Sequence, residues 1–165
     1  MEKTIKVINE LQKEGLIKKY AIGGAIASIF YVEPITTYDI DIMIILEDDG
    51  KSLISLSPIY NWLSNRGYKA DKEHIMIEGI PVQFLPVYNE LIKDAVNNAE
   101  EKHYKDVQTF VIKPEYQIAI MLDTYRAKDR ERIARFLEEA EIDVSFLDKI
   151  LTKYNLNDKF KNIKK

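Results

Sequence analysis

Apolar positions recur with a helical period at the start of the chain. Ile5, Ile8 and Leu11 share one face of residues 3 to 14, and Gly15 closes that helix. Tyr20 to Ile22 predicts a short strand that Gly23-Gly24 breaks. Ala25 to Tyr31 then reads as a buried helix that stops before Pro34. The clearest two-residue alternation follows in Tyr38 to Leu46, YDIDIMIIL. Ile40, Ile42 and Ile44 fall on one face of this strand, and Asp39, Asp41 and Met43 on the other. Glu47-Asp48-Asp49-Gly50 is a loop, and Ser52 to Asn65 predicts a helix ending at Gly67. Lys69 to Glu78 and Ile80 to Leu85 read as two strands of a hairpin turning near Gly79. Glu90 to Ala99 predicts a helix and Val107 to Ile112 a strand. Beyond Pro114, which suits a first helical turn, three helices are expected: Glu115 to Tyr125, Lys128 to Ala140 and Val144 to Tyr154. Asp143 is placed to cap the last of them.

Strands mixed with helices, followed by helices alone, predict an α/β (α+β) fold: a mixed central sheet flanked by helices, with a helical C-terminal part. The 165 residues favour a single domain over 1–165, with a sheet core about 18–112 and C-terminal helices about 114–165. A hydrophobic content of 46% is enough for a core without staples, and the absence of cysteine excludes disulfides and thiolate metal sites. The net charge of −3 leaves no broad electrostatic footprint for nucleic acid, though a local basic groove remains open. The N-terminal segment lacks the apolar stretch of a signal peptide. The uncharged run Tyr20 to Val32, like that from Ser52 to Asn65, falls short of the ~20 residues of a membrane helix. A cytoplasmic protein with no membrane partner is the default expectation.

Asp39 and Asp41 carry the most chemical information. Residues i and i+2 of a strand point the same way, so the two carboxylates repel each other unless a cation lies between them. Mg²⁺ suits such a pair, because it takes oxygen ligands from one or two carboxylates together with substrate phosphates. The strand around them is rich in isoleucine, where aspartate is disfavoured. A solvent-facing strand edge would also accommodate the pair. Gly23-Gly24 lets backbone approach a ligand closely and precedes a helix whose first N–H groups face an anion, although a glycine pair alone reads equally as a tight turn.

The stretch AIGGAIASIFYVEPITTYDIDIMI resembles the nucleotidyltransferase (DNA polymerase β-like) superfamily, and among its members the small AbiEii-toxin-like proteins. The matching residues are Gly23, Gly24, Ala25, Thr37, Asp39 and Asp41. A second stretch, YRAKDRERIARFL, resembles that family's Arg-x-Lys-Asp segment through Arg126, Lys128 and Asp129. The resemblance spans residues ~20 to ~140, with two motifs in the expected order. It implies a nucleotidyltransferase fold and Mg²⁺-dependent transfer of an NMP from an NTP to a hydroxyl on RNA or protein. Asp39 and Asp41 would be the catalytic and metal-binding residues, with up to two Mg²⁺ ions. Gly23, Gly24, Thr37 and Lys128 would bind the nucleotide, and an antitoxin partner belongs to the same picture. Taken alone, the run from Lys128 to Arg132 reads as a solvated, salt-bridged helix face.

Three positions depart from the family pattern. Gln83 stands where a third acid is usual, with Glu78 the only acid nearby. Ile35 stands four residues before the first aspartate in place of arginine, and Met121 in place of a lysine. An alternative therefore stands beside the enzyme: a catalytically impaired module of the same fold that binds a nucleotide or a protein. His74 and His103 lie near no histidine or carboxylate cluster in sequence and read as surface or strand residues. Trp62 reads as core, Tyr31 and Tyr38 as packing or base-pocket residues, and Ser28 as lacking a base. The base, the acceptor and the oligomeric state are left open.

Overall fold

In the computed structural model, which describes residues 1–33, 37, 39–47 and 55–163, seven strands alternate with eight helices among the described residues. The strands are β1 (Lys19–Gly23), β2 (Ile40–Ile45), β3 (Lys69–Asp71), β4 (His74–Ile77), β5 (Ile80–Pro86), β6 (Glu100–Tyr104) and β7 (Val107–Val111). The helices are α1 (Glu2–Lys13), α2 (Gly24–Ser28), α3 (Ser57–Asn65), α4 (Glu90–Asn97), α5 (Pro114–Thr124), α6 (Ala127–Glu139), α7 (Val144–Lys153) and α8 (Asn157–Ile163).

The strands form one mixed sheet in the order β3-β4-β5-β2-β1-β7-β6. β2 lies near its middle, antiparallel to β1 and parallel to β5, and β1 is in turn parallel to β7. The alternation in β2 separates two cores. Ile40, Ile42 and Ile44 pack with Ile5, Ile8 and Leu11 of α1 and Ile59 and Leu63 of α3. Met43 faces the opposite cluster, built from α4, α5, α6 and α7. Asp41, between Ile40 and Ile42, therefore projects from the face that the C-terminal helices cover.

Several elements differ from the sequence pattern. The strand expected over Lys69 to Glu78 is two strands, because Lys72 adopts a positive φ of 55° and turns the chain. The next turn is as expected: Glu78 (φ 52°) and Gly79 (φ 79°) join β4 to β5 as an antiparallel hairpin. β6 has the sequence EEKHY, which lacks apolar alternation because it is a charged edge strand. α2 covers five residues, shorter than the helix expected to Tyr31. α8, which is not among the expected elements, buries no residue, although its Phe160 and Ile163 pack partly against the second core. The expected loop at 48–50, the start of the helix at Ser52, and the positions of Pro34, Ile35 and Tyr38 lie outside the described residues. Trp62 is only partly buried, with the Arg66 guanidinium stacked 3.4 Å above its ring.

Candidate active site

The site begins where β1 ends. Gly23 is opposite Asp41 in the β1–β2 register and adopts a φ of −115°, open to any residue. Gly24 is different. Its φ is +59°, and a Cβ there would lie 2.1 Å from Asp41 Oδ2. The Asp41 carboxylate occupies the space that every other residue type would fill. The two glycines therefore have separate reasons to be there: a Cβ at Gly23 would meet the flexible end of Met43, at 2.7 Å from Cε.

On the other side of β2, Asp41 is in register with Gln83 of β5. The row continues into β4. Ile75 pairs with Val82, so one further step of the antiparallel register sets His74 level with Gln83. His74, Gln83, Asp41 and Gly23 thus form one line across four strands. Asp39, just before β2, lies beside this line. Its Oδ1 accepts a hydrogen bond from Thr37 Oγ1 at 3.0 Å, and its Oδ2 is 3.6 Å from His74 Nε2. The expectation that His74 lies away from any carboxylate is thereby corrected: the hairpin turn brings it back onto the aspartate pair. Glu78 does not join them. It occupies the turn itself and accepts from Tyr68 Oη at 2.8 Å.

Burial raises the pKa of Asp41 above the ordinary carboxylate range, and the charge of Asp39 raises it further. His74, Arg126 and Lys128 pull in the opposite direction without cancelling the rise. The folded chain thus disfavours the ionised form of Asp41, through burial first and the charge of Asp39 second.

A cavity of ≈ 250 Å³ opens from Asp41 toward the C-terminal helices. Gly24, Ser28, Gln83, Gln117, Arg126 and Arg132 give it a polar lining, and Met43, Leu85, Ile120 and Met121 its apolar walls. Met121, 7% exposed, brings a thioether where the resemblance leads one to expect a lysine. Lys128 is exposed on the first turn of α6. It does not line this cavity, though its charge reaches Asp41. Gln117 and Arg132 do line it and carry no sequence signal beyond their places on helices. Gln117 is 3% exposed, and its Nε2 has no hydrogen-bond partner among the described residues. A second hollow of ≈ 850 Å³, at the ends of β2 and β5, shares Pro86 and Tyr88 with the first but contains neither aspartate. The smaller cavity is the relevant one, because it holds the carboxylate. Tyr31 lines neither; it donates to Glu100 and packs on Phe136.

The Arg-x-Lys-Asp segment works through Asp129. This carboxylate is fully buried at the start of α6. It accepts from Thr124 Oγ1 at 2.8 Å, from the Arg126 backbone N–H at 3.0 Å and from Arg126 Nε at 2.9 Å. Burial pushes its pKa up, but the hydrogen bonds from Arg126 and Thr124 outweigh burial and hold it below the ordinary range. The clamp fixes the α5–α6 corner, where Tyr125 has a φ of 48°, and sets Arg126 at the cavity. A depressed carboxylate contributes stability above its unfolded pKa and loses it as pH falls through the folded value. Asp129→Ala is expected to lower stability by about 2–3 kcal/mol at neutral pH, since several donors lose their acceptor. In thermal melts the difference from wild type should shrink below pH ~4.

Among the described residues no helix is long and apolar enough to cross a membrane. No family model matches the chain, and no curated protein matches it. Solved structures do. An antigenic nucleotidyltransferase-like protein from Paracoccidioides brasiliensis superposes with a TM-score of 0.57 at 12% identity, over 96% of this chain and 90% of that one. This chain therefore shares that protein's fold, a mixed sheet flanked by helices.

Proposed function

We propose that the chain is a Mg²⁺-dependent nucleotidyltransferase that moves an NMP from an NTP to a hydroxyl on RNA or protein. The observation that carries this is the seat of Asp41: its carboxylate rests on the Gly24 turn, beside Asp39, at the mouth of a cavity edged by amide and guanidinium donors. The acceptor oxygen forms a bond to the α-phosphorus, the α–β phosphoanhydride bond breaks, and pyrophosphate leaves with the electron pair. The acceptor proton passes to solvent.

Among the described residues, no three His, Cys, Asp or Glu side chains converge closely enough to cage an ion. Mg²⁺ does not require such a cage, since it commonly rests on one or two carboxylates and completes its shell with phosphates and water. Asp39 and Asp41 fit that role, and a bound cation would favour the ionised form of Asp41 that burial and Asp39 disfavour. The ion would offset the charge of the phosphates and orient the α-phosphorus. Thr37 holds Asp39 in place. The Gly23-Gly24 turn approaches the phosphates, and Arg126, Arg132 and Lys128 supply positive charge around them.

The test is transfer of radiolabelled NMP to a panel of RNA and protein acceptors, from each NTP. Transfer that Asp39→Asn/Asp41→Asn removes is expected; transfer unchanged in that variant refutes the assignment. One observation favours a second reading. Gln83, opposite Asp41 in register, offers a neutral carbonyl where a third carboxylate would stand. A nucleotide-binding module of the same fold would bind NTP in calorimetric titration yet transfer nothing to any acceptor.

A further inference from the structure

Gln117 lines the smaller cavity from the first turn of α5. It is 3% exposed, and its Nε2 is buried without a hydrogen-bond partner among the described residues. A buried amide nitrogen is rarely left in that condition, because the lost hydration is not repaid. One turn further along α5, Ile120 and Met121 are apolar walls of the same cavity and offer it no acceptor. The donor is therefore free for whatever the cavity takes in.

The lining says what that is. Its charged groups are the accessible ones: the Arg126 side chain is 57% exposed and bound to Asp129, and Asp41 and Arg132 are half-buried. The interior is neutral. Met43, Ile92 and Met121 are buried, and Leu85 and Ile120 partly so. A phosphate chain drawn in among these groups would give up its hydration for a neutral donor. A nucleobase suits them, since its faces pack on apolar walls and its edge carries hydrogen-bond acceptors. At ≈ 250 Å³ the cavity is smaller than the about 300–1,000 Å³ of pockets that enclose a whole ligand, so it takes one part of a nucleotide.

We infer that this cavity seats the nucleobase of the NTP, and that Gln117 Nε2 donates a hydrogen bond to an acceptor on the base edge and so sets which NTP is bound. This rests on the proposed metal-nucleotide site. The phosphates stay at the rim, beside Asp41 and the guanidinium groups. Selectivity follows from the unpaired donor. A base that presents an acceptor to Nε2 satisfies it, whereas one that presents an N–H there sets two buried donors against each other.

The test is calorimetric titration of the full chain with non-hydrolysable analogues of ATP, GTP, CTP and UTP, each with Mg²⁺. Wild type is expected to favour its best base over its worst by at least about 5-fold. In Gln117→Leu the favoured analogue should weaken by at least about 5-fold while the poorest changes little, so that the four converge. The nucleotide-free variant should melt no lower than wild type, because an unpaired buried donor has been removed. Equal loss of all four analogues in Gln117→Leu would place the residue on a part common to every nucleotide, or in a structural role, and overturn the inference. Equal affinity of wild type for the four overturns it even if the variant fails to fold. Base preference that survives in Asp39→Asn/Asp41→Asn with no loss of affinity would overturn the aspartate site and leave Gln117 standing. Absence of binding to any analogue would overturn both.

Discussion

Gly24→Ala is expected to weaken divalent-dependent NTP binding by about 100-fold or more, an effect out of proportion to one methyl group. Two causes act together. The backbone at Gly24 has a φ of +59°, which for a residue with a Cβ costs about 1–2 kcal/mol. The new Cβ would also lie 2.1 Å from Asp41 Oδ2 and 3.0 Å from its Cγ. The neighbour cannot yield cheaply: the carboxylate must leave its rotamer, or the start of α2 must move. The site is lost either way, and stability falls by about 2–3 kcal/mol in all. A double-mutant cycle isolates the contact. In Gly24→Ala/Asp41→Ala the two closest atoms are gone and the Cβ of residue 41 lies at 3.3 Å, so the pair should be less destabilised than the two single changes summed. Gly23→Ala is the control. Its backbone is unstrained and the obstructing group is the mobile tip of Met43, so a loss below about 1 kcal/mol is expected. Chemical denaturation of the five proteins measures the stability differences, and calorimetric titration of a non-hydrolysable NTP with divalent cation measures the loss of affinity.

Asp41→Asn should separate function from stability. Transfer is expected to fall on the order of 10³-fold, because the substitution removes a charged ligand at the reacting phosphate. Thermal stability is expected to rise at the same time, by about 0.5–2 kcal/mol at neutral pH without divalent cation. The sign follows from the raised pKa of Asp41, whose causes are burial first and the charge of Asp39 second. A carboxyl that holds its proton more firmly in the folded chain than in the unfolded one is stabilising while protonated. That contribution is complete below the unfolded pKa and is lost as pH rises through the folded one. Wild type should therefore lose stability relative to Asp41→Asn as pH climbs above the ordinary carboxylate value, and saturating divalent cation should close the gap. Melts across pH, with and without cation, check both halves. If Asp41→Asn is less stable than wild type at neutral pH, burial and Asp39 do not disfavour the ionised Asp41.

The alternation of β2 placed Asp41 and Met43 on the face opposite Ile40, Ile42 and Ile44, because a two-residue period leaves no freedom once one face is buried, while Asp39 lies just before the strand. Gln83 was named through the resemblance, as the position where a third acid is usual, and the β2–β5 register sets it opposite Asp41. His74 was overlooked although the signal existed. A two-residue turn at Glu78-Gly79 pairs Ile77 with Ile80, and counting back carries His74 to Gln83. Gln117 and Arg132 were not legible at all. Which face of α5 and α6 meets the sheet depends on tertiary packing, and the hydrophobic content of α5 is nearly uniform around its circumference, with eight of its eleven residues buried. β6 escaped because a charged edge strand lacks the alternation that marks a half-buried one. Asp129 was legible as a motif residue. Its burial, and its part in holding Arg126, follow only from the corner between α5 and α6.

The most direct test of the metal-nucleotide site is calorimetric titration of a non-hydrolysable NTP into wild type and into Asp39→Asn/Asp41→Asn, each with and without divalent cation. Wild type should bind the nucleotide tightly only when the cation is present, and the double variant should bind equally weakly under both conditions. Cation-dependent binding that survives in the double variant would contradict the assignment of Asp39 and Asp41.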